Sequence, residues 1–219
     1  MSKKAIVLGA TGLTGSIVVN KLLQDDRYDQ VKVFLRRSLA IDHPKLSEYV
    51  VDLLKLEDYA DDFTADEVYC CIGTTAKKTP DKELYRKIDF GIPVAASQLA
   101  KQNNINTFIV ISALGANPKS GIFYNRTKGE MEQKVKEMDI PNTYILQPSF
   151  ITGDRKENRL GEKIGIILFK ALAVFLIGGL RKYRAIEAKT IAQAMLNLAQ
   201  DKPSDKEVIL SDEIQVLGE

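Results

Sequence analysis

Short apolar runs alternate along this chain with longer amphipathic ones. Lys4–Leu8, Val31–Leu35, Glu48–Asp52, Glu67–Ile72, Thr107–Ser112, Thr143–Gln147 and Glu207–Leu210 are brief and rich in β-branched or aromatic residues, as buried strands are. Leu13–Gln24, about Lys82–Asn103, Tyr124–Met138, Ile164–Ile177 and Lys189–Gln200 carry apolar residues at helical spacing. Strands and helices taken in turn imply right-handed crossovers, and so an α/β, doubly wound, mostly parallel sheet with helices on both faces. A ligand of such a fold lies beyond the carboxyl ends of the strands. The crossover from Leu53 to Asp66 is short and acidic, enough for one or two helical turns, and Gly73–Pro80 reads as a loop at the carboxyl edge. With no Pro/Ser/Gly linker and no internal repeat, residues 1–219 are predicted to form a single domain. Residues 153–184 would be a small substrate-side or interface segment.

The turn after the first strand narrows the fold to a Rossmann-like, dinucleotide-binding one. Gly9-Ala10-Thr11-Gly12-Leu13-Thr14-Gly15 joins strand to helix. Such a turn must be tight, must let backbone approach a pyrophosphate, and must let the helix pack on its strand; glycine permits all three. The unpaired N–H groups of the first helical turn then face the anion. The spacing is Gly-x-x-Gly-x-x-Gly rather than the commoner Gly-x-Gly-x-x-Gly.

Charge adds little: 31 Lys and Arg against 29 Asp and Glu leave no basic stripe for a nucleic acid. Cys70 and Cys71 are adjacent in a strand and should point to opposite faces, so neither a disulfide between them nor a shared metal is expected. The single histidine, His43, reads as a loop residue in Asp42-His43-Pro44, which disfavours zinc and a Ser-His-Asp hydrolase. A cytoplasmic setting is expected from the cysteine usage and from a first strand that begins at about residue 3. Ile164–Leu180 is nearly all apolar around Lys170, short of the roughly 20 residues that span a bilayer. It reads as a buried or dimer-facing helix. The alternative is a peripheral membrane contact through 164–184, aided by Arg181, Lys182 and Arg184.

Two further groups of residues carry chemistry. Where an NAD site would place an acid at the end of the second strand, the chain has Arg36 and Arg37. A guanidinium fork suits a phosphate, so NADP(H) is favoured, with NAD(H) as the alternative. Asp52 and Leu53, at the end of the third strand, are placed to meet the adenine. Ser112 ends the fifth strand, and Tyr124 and Lys128 share one face of the next helix at i and i+4. An ammonium beside a phenol favours the phenolate, and a tyrosine so tuned can exchange a proton with a carbonyl oxygen.

The glycine turn, Ile111-Ser112-Ala113 and Tyr124-Asn125-Arg126-Thr127-Lys128 together resemble the short-chain dehydrogenase/reductase superfamily, in its atypical branch. The stretch Ser112 to Gly161 is similar to the group of Tat-interacting, metastasis-suppressor oxidoreductases. The resemblance implies that Gly9, Thr11, Gly12, Leu13, Thr14 and Gly15 hold the diphosphate, and that Arg36 with Arg37 meets a 2′-phosphate. Asp52 and Leu53 would contact adenine. Gly73, Thr74 and Thr75 would lie along the ribose and nicotinamide side. Pro148, Phe150 and Ile151, in the segment Pro148-Ser149-Phe150-Ile151, would touch the carboxamide. Tyr124, Lys128 and Ser112 match the catalytic set, and the first two also contact the cofactor. Asp89 stands where many members carry a relay asparagine. The substrate segment, about Gly153 to Arg184, is small.

These readings point to an NADPH-dependent reductase acting on the carbonyl of a small substrate. A dinucleotide-sensing regulator with little turnover is the second reading. A sugar-nucleotide epimerase is a weaker third, disfavoured by the small substrate segment.

Overall fold

The computed structural model describes residues 2–153, 176–200 and 204–219. Nine strands are assigned among them: β1 (Lys3–Leu8), β2 (Tyr28–Leu35), β3 (Leu46–Val50), β4 (Glu67–Cys70), β5 (Thr107–Ile111), β6 (Asn142–Gln147), β7 (Ile151–Thr152), β8 (Ile186–Glu187) and β9 (Val208–Leu210). Seven form one sheet in the order β3-β2-β1-β4-β5-β6-β9, and every pairing in it is parallel. This is a Rossmann-like α/β fold. The β7–β8 pair forms a separate two-stranded ladder at the rim. The helices are α1 (Leu13–Gln24), α2 (Lys82–Arg86), α3 (Ile92–Gln102), α4 (Phe123–Lys136), α5 (Ala188–Gln200) and α6 (Ser211–Leu217).

Alternation along the strands builds two cores. Ala5 and Val7 of β1 join Ile109 and Ile111 of β5 in the layer with α1 and α5, around Val18, Leu22, Ile191 and Met195. Ile6 and Leu8 point the other way, with Phe108 and Val110, toward Leu99 of α3 and Met131 and Val135 of α4. Cys70 belongs to the second layer and Cys71 packs against the first, as period-two alternation requires. Both thiols are free.

Several boundaries differ from the sequence pattern. Strand β3 runs over Leu46–Val50 rather than Glu48–Asp52, because it is a half-exposed edge strand on which burial and pairing do not coincide. The helix expected over Lys82–Asn103 is divided by a π turn at Lys87–Gly91. The acidic crossover forms a 3₁₀ segment, Leu53–Tyr59. Helix α6 and the β7–β8 ladder have no counterpart in the periodicity. Of the apolar run 164–180 and the polar stretch before it, residues 154–175 lie outside the described residues. The end of that run enters an exposed 3₁₀ turn, Gly178–Tyr183. Among the described residues no helix is long and apolar enough to cross a membrane.

Close approaches near the site rest on glycine. A Cβ on Gly9 (φ +81°) would lie 2.6 Å from the Cys71 carbonyl oxygen, and one on Gly15 would lie 2.2 Å from the Gly9 oxygen. On α4, a Cβ on Gly129 would lie 2.3 Å from the backbone of Asn117 and Pro118, so this helix seats directly on the loop after β5. Gly91, by contrast, faces open space. Gly15→Ala and Gly129→Ala should each cost about 1–3 kcal/mol through overpacking. Gly91→Ala should be neutral or stabilise by up to about 1 kcal/mol, since it loses chain entropy only in the unfolded state. Urea midpoints of the three variants measure this; equal losses at Gly15 and Gly91 would contradict the steric account.

Candidate functional site

The glycine turn closes with Gly12 N–H donating to the Gly9 oxygen at 2.8 Å. Gly12 then caps α1, with no side chain bonding the freed amides and no acid in the first turn. The amino end of α1 therefore keeps its unpaired donors and its positive dipole end for a ligand, beside backbone that no Cβ obstructs. Thr11 is exposed, Leu13 half-buried and Thr14 buried. These residues fit a dinucleotide diphosphate.

Beyond the neighbouring strand ends, Arg36 and Arg37 are exposed and make no hydrogen bond or ion pair with a described residue. Val51 N–H bonds the Leu35 oxygen at 2.9 Å, which sets Asp52 close to the arginines. One Asp52 oxygen caps the 3₁₀ segment, accepting from Leu54 N–H at 3.0 Å, while Leu53 is buried in the core. The two adenine-side residues thus also carry structural duties.

At the middle of the sheet, Lys128 is almost fully buried. Its Nζ lies 3.1 Å from Oδ1 of buried Asp89 and donates to the Ile111 carbonyl at 3.4 Å. The other Asp89 oxygen accepts from Thr74 N–H at 2.7 Å. A Cβ on Gly73 would sit 3.7 Å from Asp89 Oδ1 and 4.0 Å from Lys128 Nζ. One carboxylate thus gathers the Gly73–Thr74 backbone and Lys128. Burial lowers the lysine's proton affinity, and the Asp89 charge and hydrogen bond, together with Tyr124 and Cys70, more than restore it, so the net direction is upward.

Tyr124 is 40% exposed, one helical turn before Lys128. Its phenol is raised from the ordinary value: dehydration raises it, Lys128 lowers it and Asp89 raises it again. The direction is opposite to that expected from the Tyr-x-x-x-Lys pair alone. The reason is that dehydration outweighs the lysine's field, which Asp89 further weakens. In the sequence Asp89 stands out only as a departure from a family pattern; an acid on the inward face of the helix before β5 is the signal that could have marked it.

Ser112 is buried, and its hydroxyl donates to Glu132 Oε1. Gln147 Nε2 donates to both Glu132 oxygens, at 2.9 and 3.0 Å. Burial raises the Glu132 carboxyl, against the lowering effect of these two donors and of nearby lysines. Neither Glu132 nor Gln147 is among the residues the sequence pattern singles out. Glu132 continues the Tyr124–Lys128 face at i+8, and Gln147 is a polar residue closing an apolar strand; both are readable as anomalies.

The rim after β6 completes the carboxyl edge. The Pro148 oxygen accepts from Leu114 N–H at 2.9 Å, Phe150 is 43% exposed, and Ile151 pairs with Ile186. Ser149 N–H donates to Ser211 Oγ at 3.1 Å, and the two hydroxyls are 3.1 Å apart. A Cβ on Gly153 would lie 3.2 Å from Leu13 Cδ1, so this rim touches the glycine turn. Thr74, Thr75 and Tyr124 line one cavity of about 500 Å³. A larger one, about 760 Å³, lies by Arg184, Ile209 and Ser211 and includes none of the predicted site residues.

Over residues 9–202 the sequence matches the family model for NAD(P)H-binding proteins. The chain belongs to that family. Two relatives place it more finely. Rat HTATIP2 is 30% identical over 200 residues, covering 90% of this chain and 81% of that protein. The protein FMP52, mitochondrial, of Candida albicans is 27% identical over 223 residues, covering 97% and 93%. This NAD(P)H-binding chain is thus an atypical short-chain dehydrogenase/reductase of the HTATIP2 group. Solved structures share its fold alone. The UDP-glucose 4-epimerase of Thermotoga maritima with UDP-glucose superimposes with a TM-score of 0.69 at 18% identity, covering 98% of this chain and 81% of that one. MoeE5 in complex with UDP-glucuronic acid and NAD gives 0.72 at 17%, covering 94% and 75%.

Asp89→Asn removes one charge of the buried pair while keeping a hydrogen-bonding side chain. It should destabilise the protein by about 3–5 kcal/mol, the cost of leaving a buried partner uncompensated. It also removes a group that raises the phenol, so Tyr124 should ionise at lower pH than in the parent. Ultraviolet difference titration of the phenolate, with Tyr124→Phe as the blank, checks the direction; a shift to higher pH would show that Lys128 has lost its proton.

Proposed function

We propose that this chain is an NADPH-dependent carbonyl reductase acting on a small, largely apolar substrate. The observation that carries the reading is the placement of Lys128. Its ammonium is buried against Gly73, one turn from Tyr124, at the same strand edge that holds the glycine cradle.

NADPH, when bound, supplies a hydride to the carbonyl carbon. The backbone of Gly9–Gly15 and the amino end of α1 hold the diphosphate, and Arg36 with Arg37 pairs with the 2′-phosphate. Tyr124 donates its phenolic proton to the carbonyl oxygen, and the product is the alcohol. Lys128 stabilises the phenolate left behind, which regains its proton from water. Tyr124 is protonated at neutral pH and so starts this direction as the acid; its raised phenol makes the Lys128 ammonium the more needed to stabilise the phenolate. Ser112 reaches the substrate oxygen only by releasing Glu132. The two free thiols support a reducing compartment, and we place the work in the cytoplasm.

Tyr124→Phe should lower NADPH-dependent carbonyl reduction by about 10²–10⁴-fold, the usual worth of a general acid, with NADPH affinity close to the parent's. Full activity in that variant would remove Tyr124 from the mechanism. Arg36→Asp should weaken NADPH binding by about 10- to 100-fold, as expected for loss of a hydrogen bond between charged groups. NADH affinity should change little. An unchanged ratio of the two affinities would refute the 2′-phosphate assignment.

The hold of Glu132 on Ser112 favours one second reading, a regulator that binds NADP(H) with little turnover. It predicts cofactor-dependent capture of a protein partner and no NADPH oxidation with any carbonyl.

A further inference from the structure

We infer that the cavity beside Tyr124 is a binding site for a compact aromatic carbonyl compound, favouring one with a carboxylate at its far end. The chemistry at Tyr124 rests on the reductase reading; the binding assignment does not.

The cavity measures about 500 Å³, inside the range of roughly 300–1,000 Å³ typical of small-molecule sites. It shares Thr74, Thr75 and Tyr124 with the cofactor edge and contains no residue of the glycine turn. It therefore opens past the reactive end of a dinucleotide rather than along its diphosphate.

The wall chemistry selects the ligand. Tyr85 and Phe123 both line the cavity and meet edge to face, with centroids 5.5 Å apart at 68°. Ile122, Ala76 and Pro80 add apolar surface. Most polar groups at the wall are already committed to protein. The Thr74 and Thr79 hydroxyls bond each other at 2.9 Å, the Tyr85 hydroxyl donates to the Thr74 carbonyl at 3.4 Å, and Thr75 Oγ1 accepts from Lys78 N–H at 3.3 Å. Two functions remain. The Tyr124 hydroxyl makes no hydrogen bond to a described residue, and the Lys82 ammonium stands 5.7 Å from the Phe123 ring centre.

An aromatic ring between these walls gains ring and apolar contact, its carbonyl oxygen meets the phenol, and a distal carboxylate meets Lys82. A sugar nucleotide fares badly here. Its two phosphates need several fixed cationic donors, and among the described residues of this wall there is one exposed lysine and no arginine. A small hydrophilic carbonyl gains little from walls that are mostly apolar or already hydrogen-bonded within the protein.

The test uses the full chain. Saturation-transfer NMR with NADP⁺-loaded protein, which cannot reduce the probe, measures binding of 4-acetylbenzoate, acetophenone and UDP-glucose. NADPH oxidation compares 4-formylbenzoate with glyceraldehyde. Expected are saturable binding of 4-acetylbenzoate, weaker acetophenone and no UDP-glucose. Phe123→Ala should weaken 4-acetylbenzoate at least tenfold, and Lys82→Glu should abolish its advantage over acetophenone. Ile122 is 63% exposed, so Ile122→Glu is a second probe of the wall should Phe123→Ala fail to fold. The kcat/KM for 4-formylbenzoate should exceed that for glyceraldehyde at least tenfold. Binding as described with no NADPH oxidation supports the site and sinks the reductase reading alone. No binding of 4-acetylbenzoate, binding indifferent to both wall variants, or an equal or better kcat/KM for glyceraldehyde overturns the assignment.

Discussion

A lysine ammonium and an aspartate carboxylate, 3.1 Å apart and nearly sealed from water, tie the centre of this molecule together. Neither charge is tolerable there alone. Desolvating one ion costs several kcal/mol, and only the partner and supporting hydrogen bonds offset it. Asp89 has a second attachment, the Thr74 amide, and Lys128 reaches the last carbonyl of β5. The pair therefore joins four elements: the π turn before α3, the loop after β4, the end of β5, and α4. The π turn matters to this arrangement, because a wider helical turn changes which side chains face inward, and such turns are frequent at functional sites.

The same pair sets the electrostatics of Tyr124. A lone buried lysine would pull the phenol toward ionisation. Dehydration exceeds that pull, and the Asp89 charge weakens it further. Charge balance inside the protein and proton affinity at its surface are two aspects of one contact.

Much of this is legible in the residues. Period-two alternation in KAIVL and TFIVI assigns side chains to the two cores correctly, since each strand is buried on both faces. The glycine spacing is equally readable, because Gly9 takes a positive φ and Gly15 meets the Gly9 oxygen within the same turn. Edge strand β3 lies two residues from its expected place, for there the apolar run and the paired run differ. The upward direction at Tyr124 is not legible. Spacing on one helix reveals the i+4 lysine, whereas the dehydration that dominates, and Asp89 35 residues away in the chain, arrive only through tertiary packing. Ser112 shows the same limit: its strand end is evident, and its partner 20 residues on is not.

The rim after β6 has a consequence in time. Ser149 leans on Ser211, 62 residues further along, and β9 pairs with β6 just before it. At about 5–20 residues per second, a ribosome takes several seconds to traverse that interval. The glycine turn and the first four strands can assemble meanwhile, as their contacts are nearer in sequence. During synthesis the turn is thus shaped early, but α1 is covered only when α5, Ala188–Gln200, arrives. The rim at the other end stays open until the chain has passed residue 211, so both ends of the cleft are completed late and close together in time.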